Sequence, residues 1–155
     1  MGSSGAGGVC AYYPKMLIDT ATDFGRRVAQ RLENDRLVWL TTVAQDGTPQ
    51  PSPIWFLWDG RSVLMYSQPN TPKLRHIQRN PNVSLNFDGN GQGGDIVVLT
   101  GQARIAESEP PANKLAAYAD KYTEMIRRIG MDADTFAKGY SVPVRITLAR
   151  LRGHL

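Results

Sequence analysis

Apolar positions along this chain recur at two different periods, and the changes of period mark its elements. Over Thr20–Glu33, Phe24, Val28 and Leu32 return every fourth residue, with Arg26, Arg27, Gln30 and Arg31 outside the stripe. That spacing predicts an amphipathic helix, capped by Thr20 or Thr22 and ended at Asn34-Asp35. Leu37–Val43 (LVWLTTV) is apolar and β-branched and predicts a strand. Gln45-Asp46-Gly47 is a turn signal, and Gln50–Leu57 returns as a second strand. Pro51 and Pro53 have no N–H for a ladder, so the start of that strand belongs at an edge or a bulge. Asp59-Gly60 turns again into a third strand, Ser62–Ser67, and turns this short make the three an antiparallel meander.

A short helix follows, capped by Asn70 or Thr71, with Pro72 near its first position, Leu74 and Ile77 inward, and Asn80-Pro81 as its stop. Val83–Phe87 alternates as a fourth strand. The Gly-rich connection Asp88–Asp95 leads to a long fifth strand, Ile96–Ala106, in which Gly101 predicts a bulge or bend. Pro111–Ile129 is the longest helical segment, with Leu115, Tyr118, Tyr122, Met125 and Ile129 on one side and Gly130 at its C-terminus. Asp132–Lys138 adds a helical turn or two, and Tyr140–Leu151 is a sixth strand. The fold class is mainly β with flanking helices: six mostly antiparallel strands closed, or nearly closed, into a barrel that removes exposed sheet edges. Regular strand–helix alternation is missing, which argues against a doubly wound nucleotide-binding sheet. DGNGQGGD (88–95) matches neither a dinucleotide fingerprint nor a phosphate-binding loop with its Lys-Ser/Thr.

Composition narrows this picture only a little. With 155 residues, 41% apolar and 21% charged, the chain reads as one globular domain over 20–155 behind a flexible segment, 1–19. Its apolar runs are far shorter than the roughly 20 residues of a membrane span. The opening MGSSGAGGVCAYYPK lacks the basic and apolar regions of a signal peptide, and Met16 is an alternative natural start, so a cytoplasmic protein is expected. The one cysteine, Cys10, allows no internal disulfide or thiolate metal site and reads as incidental. A net charge of +4 suits an anionic partner without choosing between a phosphorylated cofactor and nucleic acid. Nucleic acid ranks lower, because the basic residues are not interleaved with aromatics along one stripe.

The chemistry concentrates in Tyr66–Pro81 (YSQPNTPKLRHIQRNP), where a strand ending in Ser67 runs through a Pro/Asn loop into a helix carrying Lys73, Arg75 and His76. Basic side chains, a hydroxyl and helix N-terminal N–H groups together make a site for a phosphate or carboxylate. The alternative for Lys73 and Arg75 is solvated decoration of a helix, and His76 either pairs with the anion or faces solvent. Trp55 and Phe56 point to opposite faces of their strand, as do Leu57 and Trp58, so one of each pair can be core and the other at a ligand or subunit contact. Asp46, Asp59, Asp88 and Asp95 sit beside glycines as turn residues and match no calcium loop. Two distant histidines give neither a metal cluster nor a Ser/His/Asp set, so no catalytic side chain is named and no metal is expected. A redox cofactor with its own reactive ring accounts for that silence. Tyr118, Tyr122 and Tyr140 are weaker candidates for the border of a substrate cavity.

Four segments carry a resemblance: LVWLTTVAQDGTPQPSPIWFLWDG, VLMYSQPNTPKLRHIQRNPNVSLNF, IVVLTGQARI and VPVRITLARLRG. Across about Asp23–Arg152 the chain resembles the pyridoxamine 5'-phosphate oxidase-like split β-barrel flavoproteins, and within them the actinobacterial, coenzyme F420-dependent branch. The resemblance implies a six-stranded antiparallel split β-barrel of the FMN-binding type, forming a homodimer with the cofactor in grooves between two barrels. It implies that Pro53, Ile54, Trp55, Phe56 and Trp58 line the cofactor ring and tail, and that Tyr66, Ser67 and Lys73 serve the phosphate region; Arg75 joins them as a candidate from its place on the helix. The flavin oxidases of the family carry arginine and lysine where this chain has Pro53 and Trp58, and arginine where it has Pro72. Those replacements point away from tight FMN binding and toward F420, with a hydride passed between it and an unsaturated small organic acceptor. The alternatives are an FMN-dependent reductase or oxidase, and a non-catalytic protein that binds an anionic cofactor or a haem-related ligand.

Overall fold

The computed structural model describes residues 16–155, so the first fifteen residues and Cys10 lie outside it. Helix α1 (Asp23–Asn34) is capped by Thr22, whose hydroxyl accepts from the Gly25 N–H, and it buries Val28 and Leu32 as the four-residue spacing predicts. Strands β1 (Val38–Val43), β2 (Pro49–Ile54), β3 (Leu57–Trp58) and β4 (Ser62–Ser67) follow. Then come α2 (Pro72–Arg79), β5 (Asn82–Asn86), β6 (Ile96–Ile105), α3 (Ala116–Arg128), α4 (Ala133–Gly139) and β7 (Val142–His154). The strands form one antiparallel sheet in the order β2-β1-β5-β6-β7-β4-β3, curled into a split barrel with helices at its margin. Val28, Leu40, Phe56, Leu85, Leu99 and Ile146 fill its interior.

The sheet has seven strands, where six are expected from the sequence, because the predicted second strand breaks at Trp55-Phe56. β2 pairs with β1 at one end of the strand order, and β3 pairs with β4 at the other, so this one stretch of chain bridges the two ends. At the break, backbone groups need partners from outside the ladder. Tyr122 on α3 supplies them: its oxygen accepts from the Phe56 N–H (2.8 Å), and its proton is shared between the carbonyls of Phe56 (2.9 Å) and Arg36 (2.8 Å). Lys121 Nζ also donates to the Phe56 carbonyl, at 3.0 Å. Pro51 and Pro53 lie on β2, an edge strand, as their missing N–H groups require.

Other differences are of boundary. The segment expected as one helix from Pro111 divides into a single 3-10 turn, Ala112–Lys114, and α3, which buries Ile126 and leaves Ile129 half exposed. β7 runs to His154, past the expected Leu151. Gly101 sits at the register shift between β6 and β7, where a Cβ would overlap the Thr147 carbonyl oxygen. Buried Arg31 ties α1 to the Gly-rich connection by bonding Asp35, Asp95 and the Asp88 carbonyl, with Arg27 forked onto the same Asp95. No helix among the described residues is long and apolar enough to cross a membrane.

Candidate functional site

β2 and β4 meet α2, α3 and α4 around a cavity of about 360 Å3, within the usual range for small-molecule sites. Its polar end is built from the end of β4 and the start of α2. Ser67 is buried; its hydroxyl donates to the Gln68 carbonyl at 2.8 Å and lies 3.0 Å from Thr71 Oγ1. Ser67 therefore shapes the loop instead of offering its proton to a ligand. Thr71 is the N-cap residue of α2, yet its side chain makes no capping bond, and it lines the cavity beside Gln68 and Lys73. Lys73 is half-buried and makes no ion pair or hydrogen bond among the described residues. Desolvation lowers its pKa from the usual lysine value, with no neighbouring carboxylate to oppose the shift. It is the one charged side chain among those lining this cavity.

The opposite end is aromatic. Trp55 leaves the strand at the break and stacks on Tyr122 (centroids 5.0 Å apart, planes 6° apart) and on Phe136 (5.5 Å, 19°). Phe136 stacks in turn on Tyr140 at 4.5 Å, and Tyr66 meets Tyr118 edge-on at 4.9 Å. Burial pushes the Tyr66 phenol up to about 12, helped by Glu109, and its hydroxyl donates to the Pro110 carbonyl at 2.6 Å. The cavity thus joins one unpaired ammonium to a neutral, flat-walled compartment. That arrangement suits a planar ligand with an anionic tail.

Of the nine residues predicted for the site, Pro53, Ile54, Trp55, Tyr66, Ser67 and Lys73 come together here. Phe56 does not: its ring is fully buried in the barrel, edge-on to Phe87 and under Lys121 Nζ. Trp58 lies against the barrel core on β3, outside the cavity. Arg75 faces a separate groove with Glu107 and Glu109, and its guanidinium donates to the Asn70 carbonyl at 2.8 Å. His76 belongs to a neighbouring pocket with Ser52, where its Nδ1 is 2.8 Å from Thr42 Oγ1, and Lys73 borders both spaces. The sequence reading missed Gln68, Thr71 and Phe136 as lining residues, although Thr71 two residues before Lys73 at a helix start is a usable signal. No group of three or more His, Cys, Asp or Glu among the described residues is placed to hold a metal ion.

The family model for pyridoxamine 5'-phosphate oxidase matches residues 24–154. The chain belongs to the pyridoxamine 5'-phosphate oxidase family. General stress protein 26 of Bacillus subtilis (strain 168) is similar to it, at 30% identity over 95 residues, covering 60% of this chain and 67% of that protein. Among solved structures, an F420 reductase superposes with a TM-score of 0.58 at 22% identity, covering 78% of this chain and 92% of that one. The heme storage protein HutZ of Vibrio cholerae superposes with a TM-score of 0.58 at 15% identity, covering 83% and 92%. At those identities the two structures share the fold with this family member, and the family's fold serves both oxidoreductases and cofactor-binding proteins.

Proposed function

We propose that this member of the family binds a phosphorylated flavin-type cofactor in the cavity between β2, β4 and α2–α4 and serves as a reductase or oxidase with it. The observation that carries the reading is Lys73, half-buried, without a counter-ion among the described residues, and sharing one cavity with Trp55, Tyr118, Phe136 and Tyr140. A desolvated ammonium is costly unless an anion meets it, and a ligand phosphate does so. The residues fit the group: Lys73 and Thr71 would hold the phosphate, and Pro53, Ile54 and Trp55 would lie along the ring. When bound, the cofactor supplies the hydride chemistry, and the chain's share is to orient the ring and exclude water.

FMN is the first candidate, in keeping with the family. A second reading, F420, is favoured by the charge count: one lysine balances the single charge of a phosphodiester more closely than the two of a terminal phosphate. The reading includes a homodimer, a single cofactor-binding unit over 20–155 and a small unsaturated hydride acceptor. Titration of the purified protein with FMN and with F420, followed by absorbance and fluorescence, tests it. Stoichiometric binding of either supports the reading, and the tighter ligand identifies the cofactor. Binding of neither overturns it. Binding without consumption of the reduced cofactor when a quinone or enone is supplied would make the protein a cofactor carrier.

A further inference from the structure

Three tyrosine side chains, Tyr66, Tyr118 and Tyr122, meet at the aromatic end of the cavity, and their hydroxyls differ in a way the ring packing hides. Tyr122 spends its oxygen and its proton on the backbone at the strand break, and Tyr66 spends its proton on Pro110. Tyr118 is only 1% exposed, lines the cavity, and has no hydrogen-bond partner among the described residues. Its ring is fixed by Tyr66 (4.9 Å, edge-on), Tyr122 (4.8 Å) and Phe136 (6.2 Å), so the hydroxyl cannot swing to another partner without breaking those contacts. The hydroxyl is not a sealed-off orphan, since Asn113 Oδ1 is the one such buried side-chain atom among the described residues; it opens onto the cavity, where a ligand can meet it. Desolvation, reinforced by the neighbouring tyrosines, raises its pKa far above neutrality, so it stays a neutral donor.

We propose that the Tyr118 hydroxyl donates a hydrogen bond to a carbonyl oxygen of the planar ring seated in this cavity, so that the aromatic end selects flat, carbonyl-bearing rings. The proposal rests on the cofactor reading above and adds the residue that recognises the ring, as Lys73 recognises the phosphate. Geometry supports it in two respects: the donor lies among flat walls made by Trp55 and Phe136, and no charged group shares that end. Riboflavin and FMN, which carry the same dicarbonyl ring without and with the phosphate, are the probes. Tyr118→Phe is expected to weaken both by the same factor, about fivefold to tenfold, and to shift the visible band of the bound flavin. A second readout is the melting temperature without ligand. Because the hydroxyl has no protein partner to lose, Tyr118→Phe should melt no lower than the wild type. Equal flavin affinity in Tyr118→Phe and wild type overturns the proposal while leaving the cofactor reading intact, and so does a lower melting temperature without ligand. Failure of the wild type to bind flavin or F420 overturns the cofactor reading, and this proposal with it.

Discussion

Tyr122→Phe isolates the contact that lets one strand serve both ends of the sheet. The substitution removes one oxygen and keeps the ring, so the 5.0 Å stack with Trp55 and the contact with Tyr118 persist. What it removes is the acceptor for the Phe56 N–H and the donor to the Arg36 carbonyl; the Phe56 carbonyl keeps Lys121. Tyr122 and Phe56 are both fully buried, so no water stands ready to replace the lost oxygen. One orphaned buried N–H costs about 1–3 kcal/mol. For a chain of this length that corresponds to a fall in melting temperature of roughly 2–4 °C per kcal/mol, or about 4–8 °C for the middle of the range. Thermal and urea unfolding followed by tryptophan fluorescence would measure it, since Trp55 lies on the same break. An unfolding free energy within about 0.5 kcal/mol of wild type would refute the argument and mean that the break is held by chain packing alone. The contrast with Tyr118→Phe, expected to melt no lower than wild type, makes the pair internally controlled.

Three further outcomes follow from the same structure. Asp95→Asn loosens the fork from Arg27 and the bond from buried Arg31, and should cost about 1–3 kcal/mol at neutral pH by urea unfolding. The Arg27 hydrogen bonds hold the Asp95 carboxyl below its ordinary range, so that advantage is present above the unfolded value near 3.9 and fades as pH falls through the folded one. Lys121 gives the same direction in a different window and from a different cause: desolvation lowers it to about 8, so the unfolded chain holds more protons between there and 10.5, and the wild type should gain stability over Lys121→Met as pH rises through that window. Arg75→Ala should bind FMN within about twofold of wild type, because its guanidinium faces a different groove; a larger loss would return Arg75 to the site.

Local pattern carries far in this fold. The edge position of β2 follows from two prolines without N–H groups, and the β6 bulge from Gly101, where a Cβ would strike the neighbouring strand. The strand break is different. LVWLTT and PIWFLW look alike as apolar runs, and what divides the second is a phenol 66 residues away whose position depends on the whole barrel being closed. The polar end of the cavity is legible in sequence because cap, proline and lysine lie together at the start of α2. Arg75 lines a different groove from Lys73, and helix geometry accounts for it, because residues two apart on a helix point to different sides. Phe56 likewise follows from strand alternation: once Trp55 faces the cavity, its neighbour faces the core. Phe136 had no local signal, because α4 reaches the cavity only through its packing on α3 and Trp55.

The proposed function stands or falls on Lys73 reading a phosphate at one end of a ring-binding cavity. Isothermal titration of riboflavin and FMN against wild type and Lys73→Ala tests it as a closed cycle. The wild type should prefer FMN by about tenfold or more, the scale of one charge-assisted hydrogen bond, and Lys73→Ala should lose most of that preference while binding riboflavin as before. An unchanged preference for FMN in Lys73→Ala would contradict the account.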